Sequence, residues 1–199
     1  WSLKHCRNLT WLHLDNVGQH STLDFLTRRC GQKLESLKLM DARNVQDISA
    51  LGQHCGKLKA LVLHRAVCIK TLEGLRGLDR LETLDMTGSC CLRDISAIGN
   101  CGSLKRVLLT RCSALESIDA VENCNLLEVL YLSHCYRVSS LHALRNKEKL
   151  VSLWLANCSS LKRLDELVSC QSLLVFLPLQ QRFFCFLVRM FTLFEVFFG

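Results

Sequence analysis

The sequence predicts a repeat solenoid of the α/β class, with a curved parallel sheet on its concave face and short 3₁₀ or irregular return segments on its convex face. Two observations predict it. Leucine supplies 41 of the 199 residues, and the pattern LxxLxL recurs at intervals of 24 residues once and then 23 residues four times. These copies open at Leu34, Leu58, Leu81, Leu104, Leu127 and Leu150. An earlier copy opens at Leu9, 25 residues before Leu34.

Each copy is expected to hold one strand and a tight return, and we number repeat positions from its first leucine. In the copy from Leu104, Val107 and Leu109 are two residues apart, as inward-facing residues of one strand are. Later apolar residues recur every three positions, at Leu115, Ile118 and Val121. This spacing favours a 3₁₀ or irregular segment over a long amphipathic helix. One unit cannot bury its apolar edge alone, so the copies must stack.

The pattern divides the chain into a repeat array of about seven copies at residues 1–173 and a Phe-rich tail at residues 174–199. Eight of the nine phenylalanines lie in that tail. Residues 183–199 are apolar apart from Arg189, Thr192 and Glu195, but a spanning helix needs about 20 apolar residues. A coding frame slip, an apolar end cap, a membrane-associating tail and a partner-binding helix all stay open. We expect the chain to be a piece of a longer array.

The thirteen cysteines follow the repeat and form no CxxC pair. Cys112, Cys135 and Cys158 fill position 9 of successive copies, and six more lie three or four residues before a copy opens: Cys6, Cys30, Cys55, Cys101, Cys124 and Cys170. A free cysteine suits a buried column, so we expect reduced thiols and a cytoplasmic or nuclear home. A secreted, disulfide-linked receptor fragment is the alternative. No histidine has zinc-finger spacing from a cysteine pair, so no metal is expected.

These LxxLxLxxC copies resemble the leucine-rich-repeat proteins over roughly residues 9–173. The Cys at position 9, the period near 23 and the phrases at 47–51 and 94–98, DISAL and DISAI, look similar to protozoan leucine-rich-repeat proteins described as putative adenylate cyclase regulators. The cysteine-containing repeats of ubiquitin-ligase adaptors are the other comparison, although those run near 26 residues per copy. The resemblance implies a repeat scaffold and transfers no binding residue.

Position 5 of the repeat is the middle of each strand and is expected to face outward. Down the copies it reads His13, Lys38, Val62, Asp85, Leu108, Tyr131 and Trp154. Adjacent strands are about 4.8 Å apart, so Leu108, Tyr131 and Trp154 are expected side by side as a partner-binding patch. Arg106 at position 3, with Arg111 and His134 at position 8, completes the candidate site. The alternative is that the Phe-rich tail covers the patch.

Position 2 alternates in charge along the array. It reads Glu35, Lys59, Glu82, Lys105 and Glu128 in successive copies. Opposite charges side by side on neighbouring strands stabilise their pairing, so a ladder that fixes the register is predicted.

These observations predict a non-enzymatic scaffold or regulatory subunit that binds a protein partner on the concave face. A membrane-attached regulator anchored by the tail and a ubiquitin-ligase substrate-adaptor-like repeat are the alternatives. The net charge of +7 is scattered rather than clustered, which argues against nucleic acid. No GxGxxG or phosphate loop occurs, and the polar residues recur by copy instead of converging on one place, so neither a cofactor nor catalysis is expected.

Overall fold

The computed structural model describes residue 6, residues 8–17 and residues 21–176. In these residues eight strands form one parallel sheet, and their spatial order follows their order in the chain. The strands are β1 Trp11–Asp15, β2 Ser36–Met40, β3 Ala60–Leu63, β4 Thr83–Asp85, β5 Arg106–Leu108, β6 Val129–Tyr131, β7 Ser152–Trp154 and β8 Leu174–Phe176. The prediction of one short strand per copy in a parallel sheet is confirmed.

The sheet is built on the leucines of the repeat. Positions 1, 4 and 6 point inward, and in the second copy Leu34, Leu37 and Leu39 are all buried. The same positions are buried in every later copy up to the seventh, so a single apolar core runs along the array. Each repeat therefore contributes one layer of that core and depends on its neighbours to close it.

The return segments lie on the other side of the core and differ between the first copies and the rest. The first two are α-helices, α1 at Asp24–Cys30, followed by a 3₁₀ turn at Gly31–Lys33, and α2 at Ser49–His54. The other five are 3₁₀ helices, as predicted, at Glu73–Leu75, Ser96–Asn100, Asp119–Asn123, His142–Leu144 and Asp165–Ser169. The first two copies are one or two residues longer, which gives room for a turn of α-helix.

The DISA phrases mark where a return helix begins. The Asp47 carboxylate accepts a hydrogen bond from the backbone N–H of Ser49, 2.7 Å away, and Asp94 accepts one from Ser96 at the same distance. These bonds satisfy N–H groups that a helix start leaves without a partner. The phrase therefore has a structural role in this fold.

The position 9 cysteines form a column of thiol donors. The thiols of Cys112, Cys135 and Cys158 each donate to a carbonyl oxygen in the preceding copy, 26 residues back, at Sγ to O distances of 3.4, 3.1 and 3.1 Å. The twelve cysteines that the structure describes are all free thiols. Each buried thiol thus fills apolar space and also ties one repeat to the previous one.

Two of the four neighbouring pairs in the predicted charge ladder at position 2 form ion pairs. The ammonium group of Lys59 lies 2.8 Å from the carboxylate of Glu35, and that of Lys105 lies 2.9 Å from the carboxylate of Glu82. The hydrogen bond from each lysine lowers the pKa of its glutamate. Charge pairing therefore joins the second copy to the third and the fourth to the fifth.

The eighth strand lies past residue 173, where the sequence places the end of the array. Its backbone continues the register, with Ser152 opposite Leu174 and Trp154 opposite Phe176. Residues 177–199, which hold the rest of the predicted tail, lie outside the described residues. Within the part of the chain that the structure describes, no helix has the length and apolar character to cross a membrane.

Candidate functional site: the exposed sheet face and its edge

The position 5 side chains stand in one row across the exposed face of the sheet. Residues 13, 38, 62, 85, 108, 131 and 154 are direct neighbours in the strand register. The predicted neighbourhood of Leu108, Tyr131 and Trp154 is therefore present, and we call these three residues the aromatic patch. Strand pairing, rather than loop conformation, fixes their spacing.

Tyr131 and Trp154 are in direct contact within the aromatic patch. Their ring centroids are 5.4 Å apart and their planes are tilted by 46°. Trp154 remains 41% exposed, whereas Leu108 and Tyr131 are half-buried. Two aromatic rings thus present a preformed apolar surface to solvent at the C-terminal end of the described sheet.

The polar candidates fall into two places. Arg106 lies on β5, two residues before Leu108, and is exposed on the same face of the sheet. Arg111 and His134 instead follow the strands and lie at the edge where the strands end. There, Nδ1 of His134 lies 3.0 Å from the hydroxyl of Tyr136, and the two rings meet edge to face. The structure thus groups Arg106 with the aromatic patch and separates the other two from it.

Position 8 of every copy adopts a left-handed backbone conformation. The φ angles are between +54° and +82° at Asn16, Asp41, Arg65, Gly88, Arg111, His134 and Asn157. This conformation turns the chain out of the strand. Glycine adopts it freely and Asn, Asp or His tolerates it, but it is unusual for arginine.

A groove follows this edge across five successive copies, with a volume of about 710 Å³. Residues at positions 7, 8 and 10 line it, among them Arg43, Arg65, Gly88, Arg111, His134 and Tyr136. We call it the edge groove. Gly88 is at its centre, where an added Cβ would approach the Cγ of Arg65 to 3.2 Å. The side chain of Arg65 therefore packs over Gly88, in the place that a side chain at position 88 would take.

The edge groove is predominantly basic. The guanidinium groups of Arg43 and Arg65 share the carboxylate of Asp41, at 2.6 and 3.4 Å, and the bond from Arg43 lowers the pKa of that carboxyl group. Nε2 of His64 lies 2.7 Å from the carboxylate of Asp85. Arg111 forms no ion pair with any residue that the structure describes. The groove therefore offers positive charge that the neighbouring carboxylates of Asp41 and Asp85 do not neutralise fully.

Sequence reasoning named two residues of the edge groove but not the groove itself. The available signal was position 8, where the sequence has arginine, histidine or glycine in four successive copies between copies with Asp or Asn. Across residue 6 and ranges 8–17 and 21–176, no group of three or more His, Cys, Asp or Glu side chains is placed to hold a metal ion.

Comparison with known proteins supports the fold. An internalin from Listeria monocytogenes, inlF, is 21% identical, with a TM-score of 0.72 over 84% of this chain and 47% of that one. A leucine-rich-repeat protein of Leptospira interrogans is 20% identical, with a TM-score of 0.63 over 85% of this chain and 48% of that one. The mouse RP105/MD-1 complex is 16% identical, with a TM-score of 0.63 over 88% of this chain and 35% of that one.

The chain thus spans less than half the length of these three structures. At such identities the likeness shows the fold, which is a leucine-rich-repeat solenoid. No protein-family model matches the chain, and no curated protein is significantly similar in sequence.

Proposed function

We propose that the protein is a non-enzymatic interaction module that binds a protein partner on the exposed face of its sheet, with the aromatic patch at the centre of contact. The contact between Tyr131 and Trp154 carries this proposal. Tyrosine and tryptophan are the residues that most often dominate binding energy at protein interfaces. Here, adjacent strands hold both rings, so little side-chain freedom is lost on binding.

The distribution of exposed apolar side chains supports the same region. Six large apolar side chains of the described residues are exposed, and three of them, Val151, Trp154 and Leu174, lie in or directly before the last two strands. Arg106 adds a positive charge beside the patch, which favours a partner with complementary charge. The solved mouse RP105/MD-1 complex has a similar fold and contains a second component, which is consistent with a protein ligand.

We also propose a reducing compartment as the setting. The position 9 thiols act as hydrogen-bond donors to backbone oxygens, and this role requires the reduced form. Disulfides persist mainly in oxidising compartments, so a column of buried thiol donors favours the cytoplasm or nucleus.

The test compares two exposed tryptophans of one sheet. The double variant Tyr131→Ala, Trp154→Ala removes the aromatic patch, and Trp11→Ala removes a 68% exposed tryptophan from β1, at the far end of the sheet. A partner identified by crosslinking to the wild-type protein is purified, and its affinity for each variant is measured by calorimetry. We expect the double variant to bind at least 10-fold more weakly and Trp11→Ala to bind like the wild type.

Two results would overturn the proposal. The first is unchanged affinity in the double variant. The second is an equal loss in both variants, which would show that general surface hydrophobicity drives the binding. Unfolding midpoints measured on the same samples show whether a loss of binding comes from a loss of fold.

A further inference from the structure

The copies that form the edge groove differ from the other copies in the residue at position 8, where the backbone is left-handed. Outside the groove, position 8 is Asn16, Asp41 or Asn157, and these residue types tolerate a positive φ. Inside it, Arg65 and Arg111 adopt the same conformation, which is unusual for arginine. Bulky side chains at a positive φ are strained, and such strain concentrates at functional sites. The exceptions coincide with the groove, which points to a role for these side chains.

The arginines are placed to receive an anion. Arg65 and Arg111 lie two copies apart, on either side of Gly88, which corresponds to about 10 Å between their strands. Gly88 lies between them, and Ser113 also lines the groove. An arginine can form two parallel hydrogen bonds to one carboxylate, so this arrangement suits acidic groups that enter from solvent.

We propose that the edge groove binds an extended acidic segment of a protein partner, with its carboxylates held by Arg65 and Arg111. The groove crosses five copies, or about 19 Å, which corresponds to about six residues of extended chain. This inference rests on the proposed function in taking the ligand to be a protein. It goes beyond that function in two ways. It places a second contact site away from the aromatic patch, and it names acidic side chains as the groups that this site recognises.

A nucleic acid fits this groove less well than an acidic peptide. Asp41 is bonded to Arg43 and Arg65, and Asp85 is bonded to His64. These carboxylates would repel a continuous row of phosphates. A peptide can place its acidic side chains opposite the arginines and neutral ones elsewhere.

The left-handed conformation supplies a test in which loss of binding cannot be confused with loss of fold. Asparagine tolerates a positive φ better than arginine does, so the double variant Arg65→Asn, Arg111→Asn removes both charges while relieving strain. Its unfolding midpoint should equal or exceed that of the wild type. The matched control is Arg145→Asn, which removes an exposed arginine at the end of a return helix, away from the groove.

Binding is measured by fluorescence anisotropy with a labelled hexaglutamate peptide at low salt, and a labelled hexaglutamine peptide serves as the uncharged probe. We expect the wild type and Arg145→Asn to bind hexaglutamate with equal Kd, the double variant to bind at least 10-fold more weakly, and hexaglutamine not to bind. A 12-residue oligothymidylate and inorganic phosphate are tested as competitors.

Several results would overturn the inference. They are an equal Kd in the double variant, an equal loss in Arg145→Asn, tighter binding of the oligothymidylate, or displacement of the peptide by an equal concentration of phosphate. The variant Tyr131→Ala, Trp154→Ala separates the two proposals, because it should retain the wild-type Kd for hexaglutamate. If the groove inference fails but the proposed function holds, the purified partner still binds Tyr131→Ala, Trp154→Ala more weakly than Trp11→Ala.

Discussion

Nζ of Lys147 lies 2.6 Å from the carbonyl oxygen of Glu122 in the preceding copy. Lys147 is only 6% exposed, and the neighbouring copies have Cys124 and Cys170 at the same repeat position. Those two thiols also reach back to carbonyl oxygens, at 3.7 and 3.1 Å. An amine therefore replaces a thiol in a buried column of donors.

Burial lowers the pKa of Lys147 below its ordinary value of 10.5. As pH rises from the folded pKa towards 10.5, the folded state loses the proton before the unfolded state does, so the free energy of unfolding rises. We expect the stability of the wild type relative to Lys147→Met to increase between pH 7 and pH 10. Urea unfolding at both pH values measures this, and Lys149→Met, at an exposed residue, should show no such change.

The thiol of Cys135 contributes to both packing and hydrogen bonding. Cys135→Ala removes the donor to Leu109 and leaves a cavity, and we expect a loss of about 1–3 kcal/mol in the free energy of unfolding. Urea denaturation measures the loss. The control, Cys91→Ala, changes an exposed thiol and should have little effect. Equal stability of the two variants would contradict a structural role for the column.

Ser89 occupies position 9 in the copy before Cys112. Its hydroxyl is buried and has no hydrogen-bond partner among the residues that the structure describes. An unpaired buried hydroxyl is destabilising, so Ser89→Ala should raise the free energy of unfolding by about 1 kcal/mol. Ser103→Ala is the control, because the Ser103 hydroxyl donates a hydrogen bond to the carbonyl oxygen of Asp79, 2.7 Å away. This substitution should not raise the free energy of unfolding. Thermal unfolding of the two variants makes the comparison.

Buried cysteines of the repeat column should react with alkylating reagents far more slowly than exposed cysteines. Burial raises the pKa of Cys135 to about 12 and that of Cys158 to about 11, so their thiolate fraction at pH 7.5 is negligible. Cys90 and Cys91 are exposed. We expect iodoacetamide to modify the exposed pair first in the native protein, as read by peptide mass spectrometry. In urea the buried and exposed cysteines should react alike, and modification of Cys135 at the rate of Cys91 without urea would contradict the buried column.

The sequence predicts those features that the repeat period controls. The row from His13 to Trp154 could be placed because successive copies align residue by residue and alternate side chains share a face. The buried thiol column could be placed for the same reason. The α-helical returns of the first two copies were not predicted, because a period does not show how one or two extra residues are accommodated.

The edge groove was not predictable because it lies beyond the regular strands. Its side chains are directed by the left-handed conformation at residues such as Arg65 and Arg111, and alternation along a strand does not extend to them. Residue type alone gave no reason to expect a positive φ there. Strand β8 was missed for another reason, since Leu174–Phe176 stands at the start of a Phe-rich stretch that hides the repeat.

The alternating charges at position 2 also bear on the order in which the copies assemble. Near-identical repeats carry the risk that a strand pairs with the copy after next. Such a skip would place Glu35 beside Glu82, or Lys59 beside Lys105, and like charges on adjacent strands destabilise the pairing. The correct order places each of these residues beside an opposite charge. From the second copy to the sixth, the sign of one residue per copy thus favours pairing with the nearest neighbour over pairing with the copy beyond it.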